Sequence, residues 1–250
     1  MRREQISLQL YTVREETSRD MPETLRKVSE IGYPAVEFAG YGNLAPRDLK
    51  TILDDLGLRA SGAHVPLDSW ENPERVLADM QALDCAHAVL PSVPPERRED
   101  EASVASLAED LNRWGDLCRR EGVAFSYHNH DFEFAPLGQT TMWDVLVRET
   151  DPKLVGLELD LYWIKYAGAD PKTVLQDLGD RVSLLHLKDM APDDTLSDVP
   201  VGEGTLPWNE LLQAAEAAGV QWYIVEQDNP RDALEDVKIS LQNLRRLAAG

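Results

Sequence analysis

Phe125-Ser126-Tyr127-His128-Asn129-His130 is a short apolar and aromatic run that ends in two imidazoles, and three later runs repeat its design. Leu157-Glu158-Leu159 leads into Asp160, Ser183-Leu184-Leu185 into His186, and Tyr223-Ile224-Val225 into Glu226. Runs of this kind read as β-strands, so four successive strands each end in a residue able to ligate a metal or carry a proton. A barrel of alternating strands and helices collects its chemistry at the C-terminal ends of its strands. The four runs therefore predict one site at one end of one sheet, and an enzyme.

Working outward, similar runs are found near Ile6–Leu10, Ala35–Phe38, Leu58–Ala63 and Ala86–Leu90, and the four quoted runs extend over Val123–Tyr127, Leu154–Leu159, Val182–Leu187 and Trp222–Val225. Between them lie helical patterns. Pro22–Gly32 carries Leu25, Val28 and Ile31 on one face, and Asp48–Gly57 and Leu211–Gly219 repeat that amphipathic design. A glycine stands between helix and strand at Gly32, Gly57, Gly122 and Gly219, as a left-handed helix C-cap requires. Strict alternation of strand and helix predicts a parallel sheet with right-handed crossovers, and eight units close into an α/β barrel, the (β/α)8 TIM barrel. The competing open sheet is disfavoured because the first strand is followed by Gln9-Leu10-Tyr11-Thr12-Val13-Arg14 rather than a glycine-rich dinucleotide loop.

A chain of 250 residues has the usual length of one such barrel, and nothing resembling a linker divides it, so residues 1–250 are expected to form a single domain. Met1–Gln5 lacks the apolar core of a signal peptide, no apolar stretch is long enough to span a bilayer, and Cys85 and Cys118 stand alone without metal or disulfide spacing. These features predict a cytoplasmic protein with no membrane partner and two buried thiols. Acidic residues outnumber basic ones by 45 to 25, a formal net charge of −20, which argues against a nucleic-acid partner. Much of the acidity falls in segments such as Glu96–Glu101, read as a helical, solvated surface. The expected partners are a small molecule and, at most, further copies of the chain.

Alternate side chains of a strand share a face. His128 and His130 thus lie together with Asn129 turned away, Glu158 pairs with Asp160, and Leu184, His186 and Lys188 form a third set. If these ends point inward, the mouth collects imidazoles, carboxylates and an ammonium, a mixed nitrogen and oxygen set suited to a divalent first-row ion. Each residue also has a plainer reading. A strand-end histidine is often a satisfied polar residue, Asp160 could cap the next helix, and Glu226 could pair with a lysine or arginine. Their joint occurrence on four consecutive strands favours a site. Glu158, set between Leu157 and Leu159, is expected to be partly buried and to need a cation nearby.

The runs Tyr127–Phe134, Gly156–Trp163 and His186-Leu187-Lys188-Asp189 resemble the sugar phosphate isomerase/epimerase family of xylose-isomerase-like TIM barrels, to which the endonuclease IV branch also belongs. Leu8–Arg14, Val36-Glu37-Phe38, Ser61-Gly62-Ala63-His64, Gly202-Glu203-Gly204 with Trp208, and Val225–Asp228 extend the resemblance over the whole chain. It implies one divalent ion (Mn, Zn, Co, Fe or Mg) held by a carboxylate on the fifth strand, Asp on the sixth, His on the seventh and Glu on the eighth. Asp160, His186 and Glu226 match. The fifth-strand carboxylate is replaced by histidine, with His128 preferred and His130 the competing assignment. In the family's epimerases two metal-bound glutamates exchange the substrate proton, so the substitution argues against a symmetric two-base epimerase.

The expected activity is that of a metal-dependent isomerase or epimerase of a sugar, keto-sugar or sugar phosphate, working by proton abstraction beside a chelated carbonyl. The alternatives are a dehydratase or lyase on keto-sugars or keto-inositols, an endonuclease IV-like repair enzyme, and a sugar-binding protein without catalysis. The repair reading is disfavoured: the histidine expected three residues after Asp160 is Trp163, and the Asp-x-His expected after His186 is missing from Asp193 to Gly204. Glu226 is the first candidate base, with Glu158 and His130 in reserve. His64, Glu37, Gln9 and Lys188 are expected to hold sugar hydroxyls, with Trp163 and Tyr11 as the apolar wall.

Overall fold

Eight parallel strands carry the polar ends quoted above: β1 (Ile6–Gln9), β2 (Ala35–Ala39), β3 (Arg59–His64), β4 (His87–Leu90), β5 (Ala124–His128), β6 (Val155–Asp160), β7 (Val182–Leu187) and β8 (Trp222–Val225). In the computed structural model, which describes residues 1–248, they close into a barrel in the order β1-β8-β7-β6-β5-β4-β3-β2. Each expected strand is present, shifted by a residue or so at its ends. Around the barrel lie α1 (Arg14–Arg19), α2 (Met21–Ile31), α3 (Pro46–Leu56), α4 (Pro73–Leu83), α5 (Glu101–Arg120), α6 (Met142–Glu149), α7 (Leu161–Tyr166), α8 (Pro171–Leu178), α9 (Trp208–Ala218) and α10 (Ala233–Leu247).

The helices begin earlier than the apolar period suggests. Prolines sit at the first turn of α2, α3, α4 and α8, where the missing N–H costs nothing. Asp20 caps α2 by accepting the Glu23 N–H at 2.9 Å. Gly32, Gly57, Gly122 and Gly219 all adopt positive φ, as expected. After α4 the same left-handed position is taken by Asp84, at φ 54°, a residue type that tolerates it. Glu96–Glu101 departs from the helical expectation: a short 3-10 turn ends at Arg97, and Asp100 caps α5 through the Ser103 N–H. Cys85 and Cys118 are buried free thiols. No helix among the described residues is long and apolar enough to cross a membrane.

The pleat divides the strands into two faces. Ile6, Leu8, Val36, Phe38, Leu157, Leu159, Leu185, Leu187, Tyr223 and Val225 pack outward into the main apolar core beneath the helices. Val89, Leu184 and Ile224 form a small separate plug inside the barrel. Above the plug, toward the strand C-termini, the interior side chains are polar. Register brings them together: His128 pairs with Glu158, and Asp160 with His186. Near the β2/β3 irregularity, Gly62 lies opposite Glu37. A Cβ on Gly62 would collide with the Glu37 carboxylate, so this glycine is what lets that side chain cross the barrel.

Candidate active site

Closure of the barrel gathers residues from seven strand ends into one polar cluster. Glu158 is its hub. Its Oε2 lies 2.7 Å from His64 Nε2, 3.1 Å from His128 Nδ1 and 3.2 Å from His186 Nε2. Burial opposes its charge, yet the His186, His64 and His128 imidazoles hold the carboxyl well below the usual carboxylate range. His186 has a carboxylate at each ring nitrogen, Glu226 Oε2 at 2.9 Å from Nδ1 and Glu37 Oε2 at 2.8 Å from Nε2. Burial works against its protonation, but Glu158 and Glu226 raise it well above an ordinary histidine. His128, its neighbour at a ring separation of 4.6 Å, is pushed well down by burial.

Asp160 serves two ends. Its Oδ1 caps α7 by accepting the Tyr162 and Trp163 N–H groups at 2.9 and 3.1 Å, so the plainer reading of this residue is correct as far as it goes. Its Oδ2 faces the cluster with no well-aligned hydrogen bond, although the Lys188 ammonium lies 3.1 Å away. Burial raises its pKa to about 6. Asn129, turned away from His128 as parity requires, accepts the Asp160 N–H at 3.0 Å and ties β5 to β6. Glu226 also pairs with a lysine, as its plainer reading holds: its Oε2 lies 2.9 Å from Lys188 Nζ.

Above the cluster opens a cavity of about 640 Å³ lined by Tyr11, Arg14, His64, His128, His130, Trp163, Glu226, Asp228 and neighbouring residues. The expected aromatic wall of Trp163 and Tyr11 and the expected His64 are on this surface. Three other expected substrate contacts are not. Gln9, Glu37 and Lys188 are completely buried in the floor. Gln9 Nε2 donates to Glu37 Oε2 at 2.9 Å and its Oε1 accepts the Tyr11 N–H, so its amide is already engaged. Glu37 is enclosed by Gln9, His186 and His64, and burial with the nearby Glu158 charge raises its pKa to about 7. Lys188 directs its ammonium at Asp160, Glu226 and Asp228. Glu158, a reserve base, is likewise sunk in the floor.

Several site residues escaped the sequence reading. Asp228 follows Glu226 by two positions, so strand parity was a usable signal. Arg14 donates to the Tyr11 and Asp228 carbonyls at 3.0 and 2.8 Å, bridging the loops after β1 and β8. Glu133, fully buried, accepts the Tyr127 hydroxyl at 2.7 Å and the His130 N–H at 2.8 Å, which sets the loop that presents His130. Asp189 accepts five donors, from the Met190, Gly202, Gly204 and Leu206 N–H groups and the Trp208 indole. It thereby folds the long β7–α9 connection. Asp198, on that connection, accepts the Asp228 and Asn229 N–H groups beside the cavity.

The donor atoms of His128, Asp160, His186 and Glu226 lie within 4.8 Å of one another, as do those of His64, His128, Glu158 and His186. His130 belongs to neither set. Five carboxylates, from Glu37, Glu158, Asp160, Glu226 and Asp228, share this region with one fully buried ammonium, Lys188, and with Arg14 on the cavity wall. Glu37 Oε1, Glu158 Oε1 and Asp160 Oδ2 are buried without a hydrogen-bond partner. Buried negative charge without compensation is costly, so the residues fit a divalent ion.

The xylose isomerase-like TIM barrel family pattern matches residues 25–247. The chain belongs to this family. Within it, the chain is 28% identical to the inosose dehydratase of Lacticaseibacillus casei over 85% of its own length and 86% of that enzyme. It is 31% identical to the inosose dehydratase of Geobacillus thermodenitrificans over 49% of its length, a match that spans 46% of that enzyme. A sugar phosphate isomerase/epimerase structure from Parabacteroides distasonis superposes with a TM-score of 0.84 at 26% identity, covering 98% of this chain and 94% of that one. An AP endonuclease family 2 structure from Brucella melitensis, at 18% identity and a TM-score of 0.73, shares the fold. The inosose dehydratases and the isomerase/epimerases among these relatives are enzymes by name.

Proposed function

We propose that this chain is a metal-dependent enzyme that removes the proton beside the carbonyl of an unbranched or cyclic keto-sugar, with loss of water as the favoured outcome. His128, Asp160, His186 and Glu226 would hold the ion, since this set brings two carboxylates and reaches the cavity through His128 and Glu226, whereas the set centred on Glu158 brings one carboxylate, which is fully buried. A divalent ion there would act as a Lewis acid on a carbonyl and its neighbouring hydroxyl, acidifying the adjacent C–H.

The observation that carries the reading is the one-sided supply of carboxylate. Of the candidate bases Glu226, Glu158 and His130, Glu226 is the only carboxylate that lines the cavity; His130 lines it as an imidazole whose pKa burial lowers to about 4. Asp228 stands two residues farther along the same strand end and is tied to Lys188. Epimerisation by proton exchange needs an acid/base group on each face of the reacting carbon. Elimination can use one. Glu226 Oε2, which faces His186 and Lys188, is the oxygen on the side of the proposed metal set and would be the one to ligate the ion, which leaves Oε1 for the substrate. That oxygen takes the α-proton, the electron pair of the C–H bond forms a C=C bond, and the β C–O bond breaks. Glu226 then returns its proton to the departing hydroxide, and water leaves. His64 and His130 line the walls where imidazole nitrogens can hydrogen-bond the sugar hydroxyls, and Trp163 offers the apolar face. The L. casei relative's name supports a keto-inositol as substrate.

Isomerisation remains the second reading, favoured by the likeness to the Parabacteroides distasonis structure. A substrate labelled with deuterium at the α-carbon separates the two. With an inosose and added Mn²⁺, the dehydratase reading expects an unsaturated or diketone product and the label in water. A saturated isomer instead points to isomerisation. Turnover with the label carried wholly into the product means hydride transfer and ends the proton-abstraction mechanism.

A further inference from the structure

Lys188 is an unusual residue to find at the floor of a cation site. Its side chain is wholly buried, and its ammonium lies 2.8 Å from Asp228 Oδ2, 2.9 Å from Glu226 Oε2 and 3.1 Å from Asp160 Oδ2. An ammonium has three N–H donors, and here three different carboxylates face them. The Tyr162 and Trp163 rings approach to 5.7 and 5.3 Å from the nitrogen, adding aromatic faces to its surroundings. Nothing is left over for a substrate hydroxyl. Three carboxylate oxygens converging on one point are also the hard-oxygen set that Mn²⁺ or Mg²⁺ selects. Two of the three, from Asp160 and Glu226, belong to the group assigned above to the divalent ion.

We infer that the Lys188 ammonium stands where a second divalent ion would otherwise bind, and that it restricts the site to one metal. This rests on the proposed metal set of His128, Asp160, His186 and Glu226. The lysine supplies fixed positive charge to Asp160 Oδ2 and Glu226 Oε2, the oxygens these two residues turn toward the cluster, and it engages Asp228, the only member of the trio outside the proposed metal set.

The test is Mn²⁺ stoichiometry, measured by calorimetric titration and by metal analysis after gel filtration. The wild-type protein is expected to bind one equivalent. Lys188→Met, uncharged and of similar length, is expected to bind two, and Lys188→Arg, which keeps the charge, one. Lys188→Met combined with Asp228→Ala should return to one, because the third oxygen is gone. Two equivalents in the wild type, or one in folded Lys188→Met, overturns the inference. If Lys188→Met unfolds without metal, Mn²⁺ is expected to restore its circular dichroism and melting transition. Failure of Mn²⁺ to do so also overturns it. A wild-type protein that binds no Mn²⁺, Zn²⁺ or Co²⁺ instead refutes the metal reading of the proposed function, a distinguishable result.

Discussion

The two faces of the same eight strands make an instructive contrast. The outward face is almost wholly aliphatic or aromatic and joins the helices in one continuous core. The inward face has an apolar plug of Val89, Leu184 and Ile224 and, above it, a layer of imidazoles, carboxylates and one ammonium. One residue along a strand exchanges one environment for the other, as Leu159 and Asp160 show. The outer face is built for burial. The inner layer is built at some cost to it, since carboxylates placed together without enough cations are destabilising until a partner arrives. Stability and chemistry are thus separated by side-chain parity rather than by domain.

That separation can be broken experimentally, and the largest effect is expected inside. His186→Ala and Asp160→Ala should reduce bound divalent metal toward zero while circular dichroism shows the barrel intact. Unfolding of both variants would mean that the inner layer holds the fold as well. Glu226→Gln comes next: turnover should drop on the order of 10²–10⁴-fold, the usual contribution of one well-placed proton transfer, with little change in melting temperature. Retained turnover would remove Glu226 from the chemistry.

On the outer face the effect should be thermodynamic. Leu185→Ala, at a fully buried position, is expected to cost about 2–5 kcal/mol in urea denaturation, with turnover per folded molecule preserved. A fall in turnover per folded molecule would show that the faces are coupled. A divalent ion at about 100 times its dissociation constant should stabilise the wild type by about 2.7 kcal/mol and leave Asp160→Ala unmoved, which sharpens the contrast from the inner side. The smallest effect concerns Glu133. Burial raises its pKa from 4.5 to about 7 in the folded protein. Its protonated form is the one folding favours, so its contribution is complete below about pH 4.5 and is lost as pH rises through 7. The stability of wild type relative to Glu133→Gln should decline across that window in urea titrations, and a flat difference would contradict the burial argument.

Strand positions were legible because period-two patterning survives in the runs themselves, and the glycine caps because a left-handed φ narrows the choice of residue. His128, Asp160, His186 and Glu226 were legible because each follows an apolar run. Depth along the barrel axis was not. Gln9, Glu37 and Lys188 share the parity of cavity residues but are fully buried beneath neighbouring side chains, and parity carries no information about what covers a residue. Asp189 and Glu133 stayed hidden for another reason: most of their donors are backbone N–H groups of loops, and loop backbone geometry leaves little trace in residue type. Asp160 shows that the plain and functional readings need not compete, since one oxygen caps α7 while the other faces the cluster.

By itself the sequence determined which side chains point inward and where each strand ends, because both follow from local patterning. Only the closed tertiary structure decided which of those side chains meet. Arg14 reaches the Asp228 carbonyl, and the Gln227 N–H reaches the Thr12 hydroxyl, only because β1 closes against β8. Glu158 finds His128 and His186 on the two strands that flank β6, but it meets His64 only because closure brings β3 across the barrel. The side-chain alternation is set by covalent geometry along the strand, whereas these contacts depend on how eight strands close around a common axis.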